Sequence, residues 1–254
     1  MTGLADKHAL VTGGGSGIGA SIALSLAHAG AGVTICGRRQ EQLEASAARH
    51  KNIYAQAADV TDQESVARLY RQAQVARGQF DIVVANAGGA QSAPAEKVSA
   101  ELWADTLNVN LTGAFFSVQP ALAAMRQRGW GRIVFIASVA GLKGAAYVAP
   151  YVAAKHGVVG LTRALALETA RDGITVNAVC PSYTETPMLE HAVRRIVATT
   201  KRSETDVRAA LVAKNPQARF VKPEEVADVV LWLCGDGSSA ITGQAISVSG
   251  GETW

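Results

Sequence analysis

The segment from His8 to Gly30, HALVTGGGSGIGASIALSLAHAG, limits the folds open to this chain more than any other stretch. It begins with HALVT, a short apolar run with strand character, and ends with ASIALSLAHAG, which has helical periodicity and stops at Gly30. Between them, Gly13, Gly17 and Gly19 form a turn whose backbone, lacking Cβ atoms, can approach a ligand closely. The helix that follows aims its free N–H groups and the positive end of its dipole into the same space. Strand, glycine turn and helix in this order offer a seat for a phosphate group. The spacing is G-x-x-x-G-x-G, not the G-x-G-x-x-G of the best-known dinucleotide fingerprint.

The strand–helix alternation then recurs along the chain. GVTICG gives a second strand, and a helix follows over Gln40 to His50. IYAQAADV gives a third strand ending at Asp59, and TDQESVARLYRQAQVARG a helix with Thr61 as N-cap and Glu64 three residues on, a capping-box pattern. FDIVVANAGG is a fourth strand that breaks on Asn86-Ala87-Gly88-Gly89. A long helical region from Glu101 to Arg128, a fifth strand in GRIVFIAS, a helix carrying Tyr151 and a sixth strand ending at Pro181 come next. PEEVADVVLWLCG is a helix with Pro223 near its first turn, and QAISVSGG is the seventh strand. This order implies a doubly wound, Rossmann-like parallel seven-stranded sheet in a three-layer α/β/α domain spanning residues 1–254, with right-handed crossovers. The segment from about 182 to 222 is too long for an ordinary connection. Ligands of such sheets bind at the carboxyl ends of the strands, so this insertion is placed to cover a substrate, or else packs as a plain helical excursion.

Composition narrows the function classes. The chain is 48% hydrophobic and 18% charged with 25 glycines, which describes a well-buried globular protein with many tight turns. The net charge of +3 is modest, and the densest cationic cluster, Arg194, Arg195, Lys201 and Arg202, reads as a solvated face, so no nucleic-acid partner is expected. Cys36, Cys180 and Cys234 lie far apart without metal-ligand spacing; no metal is expected, and reduced, buried thiols suit a cytoplasmic protein. The start, MTGLADKHALVTG, enters a strand without a signal-peptide pattern, and no apolar run reaches the ~18 residues of a spanning helix, so no membrane partner is expected.

The end of the second strand bears on the ligand. In dinucleotide folds an acid here holds the ribose 2′-hydroxyl, whereas arginine accommodates a 2′-phosphate. This strand ends Cys36-Gly37-Arg38-Arg39, with Glu41 the first carboxylate after it. A bidentate guanidinium suits phosphate, which favours NADP(H) with NAD(H) as the alternative. Asp59 could accept a hydrogen bond from an adenine amino group.

Between Ser138 and Lys155 the chain reads SVAGLKGAAYVAPYVAAK. Tyr151 and Lys155 stand four apart in a helical run and so share a face, and Ser138 ends the fifth strand. A hydroxyl, a phenol and an ammonium brought together make a proton-transfer site. In the long helix before them, Asn108 and Asn110 interrupt apolar sequence; asparagine prefers to bond backbone groups and invites a kink or a functional role.

Taken together, TGGGSGIG at 12–19, Asp59, NAG at 86–88, Asn110, Ser138, YVAAK at 151–155, Asn177 and the Pro181 to Thr186 segment resemble the short-chain dehydrogenase/reductase family over nearly the whole chain. The resemblance implies an NAD(P)-dependent oxidoreductase in which Tyr151 is the general acid/base and Lys155 bonds the nicotinamide ribose and lowers the Tyr151 pKa. Ser138 would polarise the substrate carbonyl, and Asn110 would hold a water linking Lys155 to solvent. It also implies cofactor contacts from Gly13, Ser16, Gly17, Ile18, Gly19, Arg38, Asp59, Val60, Asn86, Ala87, Gly88, Pro181, Thr184 and Thr186.

Within the family, the sequence resembles bacterial ketoreductases of 3-ketoacyl thioesters or polyketides, and the YVAAKHG stretch also resembles NAD-dependent 3-hydroxybutyrate dehydrogenases. A small-molecule ketone or secondary alcohol is therefore the expected substrate. A third reading, a dinucleotide sensor without chemistry, is opposed by the intact Asn110, Ser138, Tyr151 and Lys155. One departure stands out: the family usually has Pro-Gly where this chain has Pro181-Ser182. The resemblance also implies a homotetramer paired through the helices near 101–128 and 150–171, with Glu252-Thr253-Trp254 able to reach a neighbouring subunit.

Overall fold

The structure is a computed structural model and describes residues 3–253. Its sheet contains β1 (His8–Thr12), β2 (Gly32–Gly37), β3 (Ile53–Ala57), β4 (Ile82–Ala85), β5 (Gly131–Ile136), β6 (Ile174–Pro181) and β7 (Ala245–Val248). All pairs are parallel and the order is β3-β2-β1-β4-β5-β6-β7. The order reverses between β1 and β4, and the crevice outside their carboxyl ends is where doubly wound sheets hold ligands.

Burial on both faces explains why the strands read as nearly continuous apolar runs. Leu10, Val83, Ile133 and Val176 point to the layer made by α3 (Gln63–Arg77), α5 (Gly113–Arg128) and α6 (Ala149–Thr169). Their neighbours Ala9, Val11, Ile82 and Val84 point to the opposite layer, made by α1 (Gly17–His28), α2 (Gln40–Ala47) and α9 (Pro223–Cys234). Each fully buried side chain of this kind stabilises the fold by about 1.5–3 kcal/mol. Tyr70 is half of an edge-to-face pair with Phe80, 4.9 Å between centroids, and its hydroxyl donates to the Ser117 carbonyl at 2.6 Å.

Several expectations change in detail. The N-cap of α3 is Asp62, whose side chain accepts from the Glu64 N–H, and not Thr61. Thr61 is instead held by Asp59, whose Oδ1 accepts from both its N–H (2.9 Å) and its hydroxyl (2.7 Å). β3 closes at Ala57, so Asp59 lies beyond the strand rather than at its end, and α2 stops at Ala47, short of His50. The long helix over 101–128 is three pieces: α4 (Ala100–Leu107), a π-helical turn (Asn108–Thr112) and α5. Asn110 lies in that turn and donates from Nδ2 to the Thr106 carbonyl at 2.9 Å, so the helix is interrupted where the asparagines stand.

The insertion folds as α7 (Pro187–Thr200) and α8 (Glu204–Val212), packed on each other through Leu189, Val193, Val207 and Leu211, with Tyr183 and Phe220 against them. All three cysteines are buried and free, and burial pushes the thiols of Cys36 and Cys234 up to about 12. Trp254 lies outside the described residues. Among the described residues no helix is long and apolar enough to cross a membrane, and no cluster of His, Cys, Asp or Glu is placed to hold a metal ion.

Candidate active site

The glycine turn closes the carboxyl end of β1. Gly13 has φ +66°, and a Cβ on Gly19 would collide with the Gly13 carbonyl oxygen, so the turn requires glycine at both. Ser16 is the N-cap of α1 but makes no side-chain cap bond, and no acidic side chain stands in the first turn. The leading N–H groups of a helix are unsatisfied by the helix itself. At Gly17, Ile18 and Gly19 they therefore form an anion cradle, and this uncapped terminus fits the pyrophosphate of a dinucleotide.

Asn86 and Ala87 brace this turn from β4. The Asn86 amide donates to the carbonyls of Thr12 (2.8 Å) and Gly13 (3.3 Å). The Thr12 hydroxyl accepts from the backbone N–H groups of Asn86 (3.0 Å) and Ala87 (2.9 Å). Asn86 thus spends its side chain on the turn. The role of Thr12 was missed from sequence, though a hydroxyl closing an apolar strand just before the glycines was a readable signal.

At the far end of the crevice Arg38 is exposed beyond β2 and close enough to Asp59 to act on its charge. Burial raises the Asp59 carboxyl, but the Thr61 bonds and Arg38 outweigh it and hold the group below its ordinary value. Asp59 is therefore an ionised acceptor at neutral pH. Val60 is buried against Gly113, at the start of α5.

Asn110, Ser138, Tyr151 and Lys155 converge at the other end. Asn110 is 1% exposed; its Oδ1 accepts from the Gly89 N–H (3.1 Å) and its Nδ2 donates to the Gly89 carbonyl (2.9 Å). The π-helical turn thereby grips the loop after β4. Lys155 is buried and donates to the Ile136 carbonyl at 2.8 Å, with its ammonium 5.5 Å from the Tyr151 ring centroid. Burial draws the Lys155 ammonium down to about 8. Burial also pushes the Tyr151 phenol up to about 12, against a hydrogen bond with Ser138 that pulls it down. Ser138 thus favours the phenolate.

The Ser138 hydroxyl caps the short turn after β5, accepting the Ala140 N–H at 3.1 Å, and lies 3.5 Å from the Pro181 carbonyl. Thr184 is buried and donates to the Ser182 carbonyl (2.9 Å); Thr186 caps α7, accepting the Leu189 N–H at 3.3 Å. A Cβ on Gly17 would sit 3.0 Å from Thr186 Cγ2, so the base of α7 rests on the glycine turn. Asn177 is placed otherwise: its amide donates to Ile241 (2.8 Å) and accepts from Gln244 (3.1 Å), stapling β6 to the approach to β7. The sequence reading also missed Glu252 as a site neighbour: its carboxylate pairs with Lys143 at 2.9 Å and accepts from the Ser182 hydroxyl.

A doubly wound sheet with an uncapped phosphate cradle at its switch point and a phenol, hydroxyl and ammonium beside it defines an NAD(P)-dependent oxidoreductase. The chain belongs to the short chain dehydrogenase family, whose profile matches residues 7–196. It is 41% identical over 249 residues to a putative ketoacyl reductase of Streptomyces coelicolor, covering 96% of this chain and 95% of that one. It is 36% identical over 254 residues to D-beta-hydroxybutyrate dehydrogenase of Rhizobium meliloti, covering 97% and 98%. The crystal structure of an actinorhodin polyketide ketoreductase variant with NADPH superposes with a TM-score of 0.94 at 40% identity, covering 97% of each chain. The reaction class is interconversion of a ketone and a secondary alcohol.

Proposed function

We propose that the chain is an NADP(H)-dependent ketoreductase whose substrate is a 3-ketoacyl thioester or a related ketone. The observation that carries this reading is the meeting of Asn110 and Lys155 at Gly88, where a Cβ would lie 2.6 Å from Asn110 Oδ1 and 3.7 Å from Lys155 Nζ, with Tyr151 beside Lys155 and Ser138 beside Tyr151. When bound, NADP(H) supplies the hydride and, in its oxidised form, a positive charge that favours a phenolate. Tyr151 gives a proton to the substrate oxygen in reduction and takes it back in oxidation. Ser138 donates to the Tyr151 phenolate while the site is empty and to the substrate oxygen once it is bound. Lys155 holds the nicotinamide ribose and hands protons to Tyr151. Asn110, by holding the loop after β4 against Lys155, keeps the far side of that path in place and leads it to solvent.

Gly13, Ser16, Gly17, Ile18 and Gly19 hold the pyrophosphate, and Asp59 and Val60 the adenine. Asn86, Ala87 and Gly88 line the adenosine ribose, while Pro181, Thr184 and Thr186 face the carboxamide and phosphates. Arg38, exposed beside the adenine end, supports the 2′-phosphate assignment. An NAD(H)-dependent 3-hydroxybutyrate-type dehydrogenase is the second reading, favoured by the similarity to the Rhizobium meliloti enzyme. A cytoplasmic homotetramer completes the proposal; Trp103 on α4 (44% exposed) and Leu167 on α6 (84% exposed) are apolar surface on the elements expected to pair. Gel filtration returning a monomer mass would remove that part.

The deciding experiment is a panel of ketones and 3-ketoacyl thioesters assayed with NADPH and NADH in parallel, on the wild-type chain and Tyr151→Phe. Turnover preferring NADPH on a 3-ketoacyl thioester, reduced about 10²–10⁴-fold by Tyr151→Phe, is the expected result. Near-full turnover in Tyr151→Phe would overturn the mechanism. No cofactor oxidation on any ketone, despite tight NADPH binding, would point to the sensor.

A further inference from the structure

Ser182 stands where the family usually has glycine, and its backbone is not in the left-handed region that would require one. Its hydroxyl donates to Glu252, whose side chain is only 3% exposed although it lies close to the carboxyl terminus. The turn at Gly250-Gly251, both with positive φ, brings the chain back so that Thr253 bonds the Ser247 and Ser249 hydroxyls beside β7. The Glu252 carboxylate also takes the Lys143 ammonium at 2.9 Å. A buried carboxylate is costly unless it is paired and hydrogen-bonded, and here both partners are supplied.

The two partners belong to the two segments that flank Ser138. Ser182 follows Pro181, whose carbonyl lies 3.5 Å from the Ser138 hydroxyl. Lys143 ends the short turn that Ser138 caps, its N–H bonded to the Val139 carbonyl at 3.0 Å. We propose that Glu252 is a positioning residue for the reaction: by clasping Ser182 and Lys143 it fixes both walls of the slot that holds the Ser138 hydroxyl against Tyr151. The inference rests on the roles given above to Ser138 and Tyr151.

The pH dependence separates this from other roles. The ionisable groups that face Glu252 are Lys143 after β5 and Tyr183 after β6. Tyr183 in turn faces Tyr151 on α6 and Lys214 after α8, whose ammonium is 5.7 Å from its ring centroid, and Cys180 on β6 lies near both Tyr151 and Lys155. Burial chiefly, and the negative charge of Glu252 as well, raise the Tyr183 phenol. If Glu252 acted only through space, removing its charge would lower the Tyr151 pKa. If it acts by holding Ser138, loosening the clasp weakens the bond that favours the phenolate, and the Tyr151 pKa rises. The two accounts predict opposite signs.

The test is oxidation of a 3-hydroxybutyryl thioester with NADP, where turnover follows the phenolate, in Glu252→Gln, Ser182→Ala and the double variant. Ser138→Ala and Tyr151→Phe serve as controls. Expected are a fall in kcat of about tenfold, an acid limb moved to higher pH, and NADPH affinity within about twofold of wild type, as for a residue that touches no cofactor. The double variant should fall short of the sum of the two single effects, since both loosen the one clasp that holds Ser138. An acid limb that stays put or moves to lower pH, or effects that simply add, would overturn the proposal. If Glu252→Gln does not fold, Ser182→Ala, which deletes one hydroxyl, decides alone. Near-full turnover in Tyr151→Phe would sink the underlying mechanism. An inactive Tyr151→Phe beside wild-type behaviour in Ser182→Ala and Glu252→Gln would sink only the role of Glu252.

Discussion

Gly88 and Asn110 meet so closely that a single methyl group cannot come between them: a Cβ on Gly88 would stand 2.6 Å from Asn110 Oδ1. The carboxamide cannot retreat freely, because it is bonded to both Gly89 and Thr106. Gly88→Ala must therefore displace the π-helical turn or the loop after β4. Overpacking of this kind costs about 1–3 kcal/mol. The expected outcome is a loss of kcat/KM of about 10–100-fold, with a small fall in melting temperature. Unchanged kinetics would show that the contact is not part of the site.

Thr12→Val keeps the shape of the strand end and deletes the hydroxyl that accepts from Asn86 and Ala87. Leaving a buried N–H unsatisfied costs about 1–3 kcal/mol. A melting temperature lower by roughly 2–12 °C is expected at about 2–4 °C per kcal/mol, together with weaker NADPH binding by fluorescence titration. Thr12→Ser should restore both; a Ser variant as weak as the Val one would mean that the methyl group matters, not the hydroxyl.

Arg38→Asp replaces the exposed guanidinium at the adenine end with the acid that suits a free ribose hydroxyl. A charge-assisted hydrogen bond contributes about 1.5–3 kcal/mol. The ratio of kcat/KM for NADPH over NADH should fall by at least about tenfold. A ratio that does not move removes the argument for NADP(H).

His8 gives a pH dependence far from the crevice. It is 5% exposed, with Nδ1 facing the Gly78 carbonyl and Nε2 facing the Thr34 hydroxyl, both at 2.9 Å. Burial chiefly, and Arg77 as well, lower its pKa from 6.5, against the opposing Gly78 bond and Asp81. The folded state thus prefers the neutral ring, so this contribution is complete above 6.5 and is lost as pH falls below it. Thermal melts between pH 8 and 5 should show stability falling over that lower range, with a shallower slope in His8→Asn. Equal slopes would assign the dependence to other groups.

The order of strands and the two-sided burial were legible because a parallel sheet covered on both faces writes itself as repeated short apolar runs. Gly13, Gly19 and the interruption at Asn110 were legible because each breaks a local pattern. The cap of α3 was misplaced by one residue because Thr61 and Asp62 are both good cap types, and only the hold of Asp59, two residues upstream, on Thr61 settles which is free to cap. Glu252 could not be found at all from sequence: its partners lie far away along the chain, and nothing local distinguishes a buried carboxylate in a tail from a solvated one.

The pair α7 and α8 carries an apolar stack of its own in Leu189, Val193, Val207 and Leu211. The pair is held together by these contacts of its own and rests on the glycine turn at its base, through Thr186. A substitution in that stack therefore loosens the pair while leaving the packing on either face of the sheet intact.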